Sequence, residues 1–315
     1  MMQFNRQELD KRARQYGFNR DTFEKVLRLK LVLEYLNSQE YLAEYLLLKG
    51  ETAINLTIFQ MPRLSVDIDL DFVPNLSKED TSAARLQITE ILKAFMEEQG
   101  YVMADDSRFS HSLDAFHFRY TNAAGNRDMI KIEINYSLRT HILPAEKRSL
   151  VTGAFGSPIA IRTVPAMDIF AAKANALMSR AAARDLYDFC NMVDQDFFFN
   201  QEELFKKCII FYATISAKEV NKNFDTSAID SLTFSKVRSD LFPVLAVRDR
   251  FDLDGKERQA KEYIASIMDL TPQENEYIER FVAKEYCPEL LFEGRKLWSV
   301  SRIIRWRGGS VDELK

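Results

Sequence analysis

The stretch Ser65-Val66-Asp67-Ile68-Asp69-Leu70-Asp71-Phe72-Val73 alternates without a break. Val66, Ile68, Leu70 and Phe72 fall on one side, Asp67, Asp69 and Asp71 on the other. Successive side chains of a strand point to opposite faces, so this segment reads as a half-buried β-strand bearing a row of carboxylates. A second alternating run, Met129 to Leu138, sets Ile130, Ile132, Ile134 and Tyr136 against Lys131, Glu133 and Asn135. A turn at Asn122–Asn126 joins it to the strand-like run Ala115–Tyr120, and Ile159–Val164 reads as one more short strand.

Helical spacing surrounds these strands. Phe23 to Leu47 repeats apolar residues near a period of 3.6 and breaks around Asn37-Ser38. Leu46-Leu47-Leu48 then forms a short buried segment feeding a turn at Lys49-Gly50. Thr52 to Phe59 makes a short helix ending before Met61-Pro62, because proline disfavours a helical residue ahead of it. Ser77 opens an amphipathic helix to Gln99, with Gly100 as its stop. From Pro165 onward the pattern is helical and at first alanine-rich. The expected fold is α+β: a mixed sheet with flanking helices over residues 1–160, followed by a helical bundle over 161–315.

Composition narrows the function classes. The chain has 315 residues, 46% of them hydrophobic, and a net charge of −4, which is that of a globular protein and not of a polybasic nucleic-acid binder. The three cysteines, Cys190, Cys208 and Cys287, are too few and too scattered for a disulfide framework, which fits a reducing cytoplasm. His111, His117 and His141 stand in no zinc-ligand spacing. No apolar run approaches the ~18 residues of a membrane span, and no signal-peptide pattern is present, so a cytoplasmic protein without a membrane partner is expected.

Asp67 and Asp69 share a strand face about 7 Å apart, and two carboxylates so placed repel unless a cation lies between them. Oxygen ligands of this kind suit Mg²⁺, or Mn²⁺, which takes one or two carboxylates plus phosphate oxygens and water. Alone, the pair also reads as the solvated face of an edge strand. A calcium loop fails, since its sixth position is Phe72 instead of Gly and its twelfth is Lys78 instead of Glu. Upstream, Lys49-Gly50-Glu51-Thr52-Ala53 is a turn into a helix, where exposed amides and a threonine hydroxyl suit a phosphate. If the Met129–Leu138 strand pairs beside Asp67–Asp71, Glu133 faces the same metal. Three carboxylates and a phosphate-binding turn are the minimum for metal-assisted nucleotidyl transfer.

Leu48-Lys49-Gly50-Glu51-Thr52-Ala53-Ile54, followed by Pro62-Arg63-Leu64-Ser65-Val66-Asp67-Ile68-Asp69-Leu70-Asp71-Phe72, resembles the AbiEii family of bacterial nucleotidyltransferase toxins, within the DNA polymerase β-like superfamily. Gly50, Thr52, Arg63, Ser65, Asp67 and Asp69 match its first motif, and Lys131 and Glu133 its second. Lys173, Arg180, Arg184, Asp185 and Asp188 match a third region. One departure stands out: the second glycine of the family's turn is Glu51 here. A required positive φ would make Glu51 strained, whereas a helical φ would make an acid near a helix N-terminus favourable; the second is expected.

The resemblance implies that Asp67, Asp69 and Glu133 hold the metal, while Gly50, Thr52, Arg63 and Ser65 form the nucleotide-binding turn. It further implies that Lys173 binds the triphosphate, with Asp185 as a second polar member. If the helix is continuous, spacing places Lys173, Arg180 and Arg184 on one face, a pattern also given by a solvated face with an Arg184–Asp188 pair. Near the C-terminus, Arg295, Lys296, Arg302, Arg305 and Arg307 are interleaved with Trp298 and Trp306, which suits phosphate contact and base stacking or, equally, a helix docked by its tryptophans. The implied activity moves a nucleoside monophosphate from an NTP to an acceptor hydroxyl. An RNA 3′ end, that of tRNA in some relatives, is the preferred acceptor. The biological role is the toxin of an abortive-infection toxin–antitoxin pair, with a cognate antitoxin as partner. The rivals are a small-molecule or protein acceptor, and a binding module made inactive by Glu51.

Overall fold

The computed structural model describes residues 4–59, 61–139, 141–150, 158–216 and 220–292. It divides the chain into two compact units. The first comprises Met1–Arg139, Ala145–Val164 and Phe242–Asp249; the second comprises Thr140–Pro144, Pro165–Leu241 and Arg250–Lys315.

The first unit opens with α1 (Arg6–Tyr16), α2 (Arg20–Ser38) and α3 (Glu40–Tyr45), which lead into β1 (Leu46–Lys49). A single turn, α4 (Gly50–Ala53), runs into a π turn at Ile54–Ile58 and then to β2 (Asp67–Phe72). The long helix α5 (Lys78–Glu98) is capped by the Ser77 side chain and followed by Gly100 at φ 85°. Next come β3 (Val102–Met103), β4 (Arg108–Phe109), β5 (Leu113–Thr121), β6 (Arg127–Asn135), β7 (Glu146–Ser149) and β8 (Ala160–Thr163). Together they form a mixed eight-stranded sheet in the order β3-β5-β6-β2-β1-β8-β7, with β4 also on β5.

The aspartate-bearing strand is not at an edge. β2 lies between β1, antiparallel to it, and β6, parallel to it. The edge-strand reading of its carboxylates is therefore replaced by an interior strand. Ile68, Leu70 and Phe72 join Ile130, Ile132, Ile134, Phe116 and Phe118 in the core on one sheet face. The register Asp67↔Lys131 and Asp69↔Glu133 puts the polar positions of β2 and β6 together on the opposite face.

Two tethers fix this sheet. Buried Glu24 on α2 pairs with Arg28 at 2.6 Å and accepts from the Ala123 amide in the β5–β6 turn at 2.9 Å. The later segment Phe242–Asp249 returns to the loop ahead of β2, where the Leu64 amide donates to the Val244 carbonyl at 2.8 Å. Buried backbone groups are thus satisfied where no strand partner exists.

The second unit is helical in its described residues: α6 (Ala166–Arg180), α7 (Ala183–Asp194), α8 (Glu202–Ser216), the single turn α9 (Phe234–Lys236), α10 (Leu253–Ile267) and α11 (Pro272–Val282). Asp168 is buried in the first turn of α6, accepting from the Ile142 amide at 2.6 Å and the Tyr212 hydroxyl at 2.8 Å. The sequence reads as a helix over Ala171–Arg180, with Arg184 on the same face only if that helix continues. It breaks at Ala181, which adopts φ 46°, so Arg184 starts a new helix instead of continuing the face of Lys173 and Arg180.

Candidate active site

Gly50 follows β1 at φ 69°, a left-handed conformation open to glycine and costly for residues with a Cβ. A Cβ built there would stand 2.6 Å from the Asp69 Oδ2 and 3.2 Å from its Cβ. The turn and the second aspartate therefore touch directly, and the glycine is what lets them do so. We expect Gly50→Ala to displace the Asp69 carboxylate and cut nucleotide transfer by roughly 10²-fold, the usual penalty for a misplacement of about 1 Å. Turnover and melting temperature of the variant check this; unchanged turnover removes the turn from the site.

Glu51 is helical within α4, and its φ is not among the positive values, so its side chain causes no backbone strain. Its carboxylate lies 2.9 Å from the guanidinium of Arg63, which is fully buried and also donates to the Leu64 carbonyl at 3.0 Å. A buried cation needs a counter-charge. In this chain the residue at the second glycine position provides it.

Three residues of the expected nucleotide-binding set lie beneath the surface. Thr52 is wholly buried, its hydroxyl bonded to the Ser65 Oγ at 2.7 Å and donating to the Asp67 carbonyl. Ser65 is 2% exposed and Arg63 is 0% exposed. Their polar atoms are committed within the fold. Thr52 and Ser65 tie the turn to the start of β2, and Arg63 is held by Glu51. Gly50, the fourth of the set, packs directly against Asp69.

The carboxylates gather on one face of β2 and β6. Asp69 stands opposite Glu133, and Glu133 is 2.8 Å from the Lys131 ammonium. Lys49, opposite Asp69 in β1, reaches Asp71 at 2.5 Å. Burial lifts the Asp69 carboxyl from its ordinary range to about 7, opposed by Lys49 and aided by the charges of Glu133, Asp67 and Glu51. The cluster thus holds more negative charge than its two lysines relieve, and its oxygen donors suit a hard divalent cation. Among the described residues no three acidic, histidine or cysteine side chains cage an ion by themselves. Mg²⁺ requires only one or two carboxylates, with phosphate and water completing its sphere.

Sequence reasoning did not single out Lys49 or Asp71 as parts of this cluster. The signal was present in strand alternation, which puts Asp71 on the same face as Asp69, but the antiparallel register that brings Lys49 opposite is a tertiary fact.

Lys173 and Asp185 lie in the second unit. The Lys173 ammonium is 2.8 Å from the Asp185 Oδ1 and 2.9 Å from the Asp188 Oδ2, and all three residues are buried. Arg180, largely exposed, reaches the other Asp185 oxygen at 3.2 Å. The solvated-face reading of Lys173 is overturned by this burial. The basic C-terminal stretch with Trp298 and Trp306 lies outside the described residues.

A family model described as nucleotidyl transferase AbiEii toxin, type IV toxin–antitoxin system, matches residues 31–284. The chain belongs to the AbiEii family. It is accordingly a nucleotidyltransferase of a type IV toxin–antitoxin system. The fold is similar to that of MenT4, a nucleotidyltransferase toxin from Mycobacterium tuberculosis H37Rv, at 16% identity and a TM-score of 0.64, covering 90% of this chain and 100% of that one. Comparison with curated proteins found no match. No helix among the described residues is long and apolar enough to cross a membrane.

Proposed function

We propose that this AbiEii member transfers a nucleoside monophosphate from an NTP to the 3′ hydroxyl of an RNA, and that this reaction is the toxic activity restrained by its antitoxin during abortive infection. The observation that carries the reading is the register of Asp69 against Glu133, with Gly50 packed on the Asp69 carboxylate. Asp67, Asp69 and Glu133 are the residues that would hold Mg²⁺ or Mn²⁺, which when bound neutralises triphosphate charge. The Gly50 turn lies against Asp69, and its amides are the groups to receive phosphate oxygens there. Glu133, paired with Lys131 at 2.8 Å, accepts the proton of the attacking hydroxyl. The hydroxyl oxygen forms the new bond to the α-phosphorus as the bond to the β-phosphate oxygen breaks, and pyrophosphate leaves.

Lys173 takes a different role from the one its motif implies. With its ammonium between two buried aspartates, we assign it to holding α6 against α7. The RNA acceptor is supported by the resemblance and by the basic, tryptophan-bearing C-terminal sequence. The helical placement of Glu51 favours a working turn over a disabled one.

Incubation with each labelled NTP and total cellular RNA tests the proposal. Label should enter RNA, with release of pyrophosphate, only when a divalent ion is supplied. Labelling confined to protein or to small molecules overturns the RNA assignment.

A further inference from the structure

The sheet face that bears the carboxylates does not end at β6. Register carries it outward: Lys131 stands opposite His117, Met129 opposite Arg119, and Arg127 opposite Thr121. Cα partners on neighbouring strands point to the same face, so His117, Arg119, Arg127 and Lys131 share the face of Asp67, Asp69 and Glu133. Exposure rises in the same direction. Asp71 and Ala115 are buried, Lys131 and His117 are half-buried, and Arg119 and Arg127 are exposed. Beyond Arg119, the exposed Val102 of β3 adds an apolar surface. The face is therefore polarised, acidic at β2 and cationic towards the ends of β5 and β6, in a chain whose net charge is −4.

We infer that this cationic continuation of the sheet face is the docking track for the sugar-phosphate backbone of a single-stranded RNA acceptor. The inference rests on the RNA reading above and adds where that RNA lies. From Glu133 to Arg127 along β6 is about 20 Å at the strand rise of ~3.3 Å per residue, a length that spans several phosphates. An acceptor whose 3′ hydroxyl meets Asp69 and Glu133 then runs its preceding phosphates over Lys131, Arg119 and Arg127. Charge complementarity decides the occupant: the acidic end repels phosphates other than those of a cation-bound NTP, and the cationic end attracts them. One carboxylate opposes the track. Asp106 lies 3.3 Å from His117 Nδ1 and 3.4 Å from the Arg119 guanidinium, and it competes there with a phosphate.

Anisotropy of a labelled single-stranded RNA of about 20 nucleotides, titrated with full-length protein at several salt concentrations, tests the track. Arg119→Ala with Arg127→Ala should weaken binding about 10-fold or more and reduce the salt slope by roughly 1.4, from two lost contacts at ~0.7 each. Asp106→Asn should tighten binding several-fold, a change of sign that misfolding does not produce. Labelled-NTP binding should stay constant in both variants. Equal affinity and slope in the double variant, or no RNA binding by the unaltered protein at low salt, overturns the inference. If RNA binds with the expected dependence yet is never extended, the transfer reading fails and the track stands. If RNA at subsaturating concentration is extended equally by the unaltered protein and the double variant, the track fails and the transfer reading stands.

Discussion

Asp69→Asn should abolish nucleotide transfer and, in the same molecule, raise the melting temperature. The first effect follows from the site: a neutral amide cannot supply the charge that a divalent cation and a triphosphate require. The second follows from the environment. Burial, with the charges of Glu133, Asp67 and Glu51, raises the Asp69 carboxyl to about 7 despite Lys49. A carboxyl whose folded pKa lies above its unfolded value binds more protons when folded, so its ionisation costs stability as pH rises from about 4 to 7. Asparagine removes that cost. In chelator at pH 8, the variant should melt above the unaltered protein, and the difference should vanish near pH 4. Residual transfer at matched Mg²⁺ and NTP, or a lower melting temperature at pH 8, contradicts the assignment. Growth should be restored when the variant replaces the unaltered protein in cells lacking the antitoxin.

The opposition between activity and stability at Asp69 explains the construction around it. Interior placement in the sheet gives Asp67 and Asp69 a rigid spacing, at the cost of gathering like charges on a partly desolvated face. Lys49 and Lys131 relieve part of that repulsion from the flanking strands. Gly50 leaves room for the Asp69 carboxylate, while Thr52 and Ser65 hold the start of β2 from below. Arg63 is buried beneath the same turn and requires Glu51. A Glu51→Gly variant that restores the family's turn would therefore take away the carboxylate 2.9 Å from a buried guanidinium, which makes the departure part of this chain's own solution.

What was legible in the sequence divides by range. Strand alternation placed Asp67, Asp69 and Glu133 on polar faces and found β2, and the helical periods found α2 and α5 close to their observed limits, whereas Leu46–Leu48 reads only as a buried segment where β1 stands. Pairing of β2 with β6 was only a condition in the sequence; the parallel register makes it a fact. Burial was the least legible property. Thr52, Arg63, Ser65 and Lys173 are all polar, and motif spacing cannot tell a side chain that meets ligand from one that braces the fold beneath it. The break at Ala181 was equally hidden, since alanine is the strongest helix former and nothing in the sequence marks its left-handed conformation at φ 46°. The two-residue strands β3 and β4 are too short to show any period.

Lys173→Ala should destabilise the protein by about 3–5 kcal/mol, the usual consequence of removing one partner from a buried ion pair. The change removes the ammonium that lies between Asp185 and Asp188, which are 2% and 0% exposed, while the exposed Arg180 stays at 3.2 Å from Asp185. At roughly 2–4 °C per kcal/mol for a domain of this size, the melting temperature should drop by about 6–20 °C. Lys173→Arg should recover only part of it, because a planar fork does not fit the space of a compact ammonium. Lys173→Met combined with Asp185→Asn and Asp188→Asn should be milder than Lys173→Ala alone, since apolar and amide groups carry no uncompensated charge. A triphosphate ligand behaves in the opposite manner: its loss lowers turnover by about 10²-fold or more and leaves melting unchanged. Measuring both quantities on Lys173→Ala separates the two roles. A large fall in turnover at an unchanged melting temperature would return Lys173 to the reacting phosphates, whereas parallel loss of both, reversed by the neutral triple variant in melting, keeps it as the brace between α6 and α7.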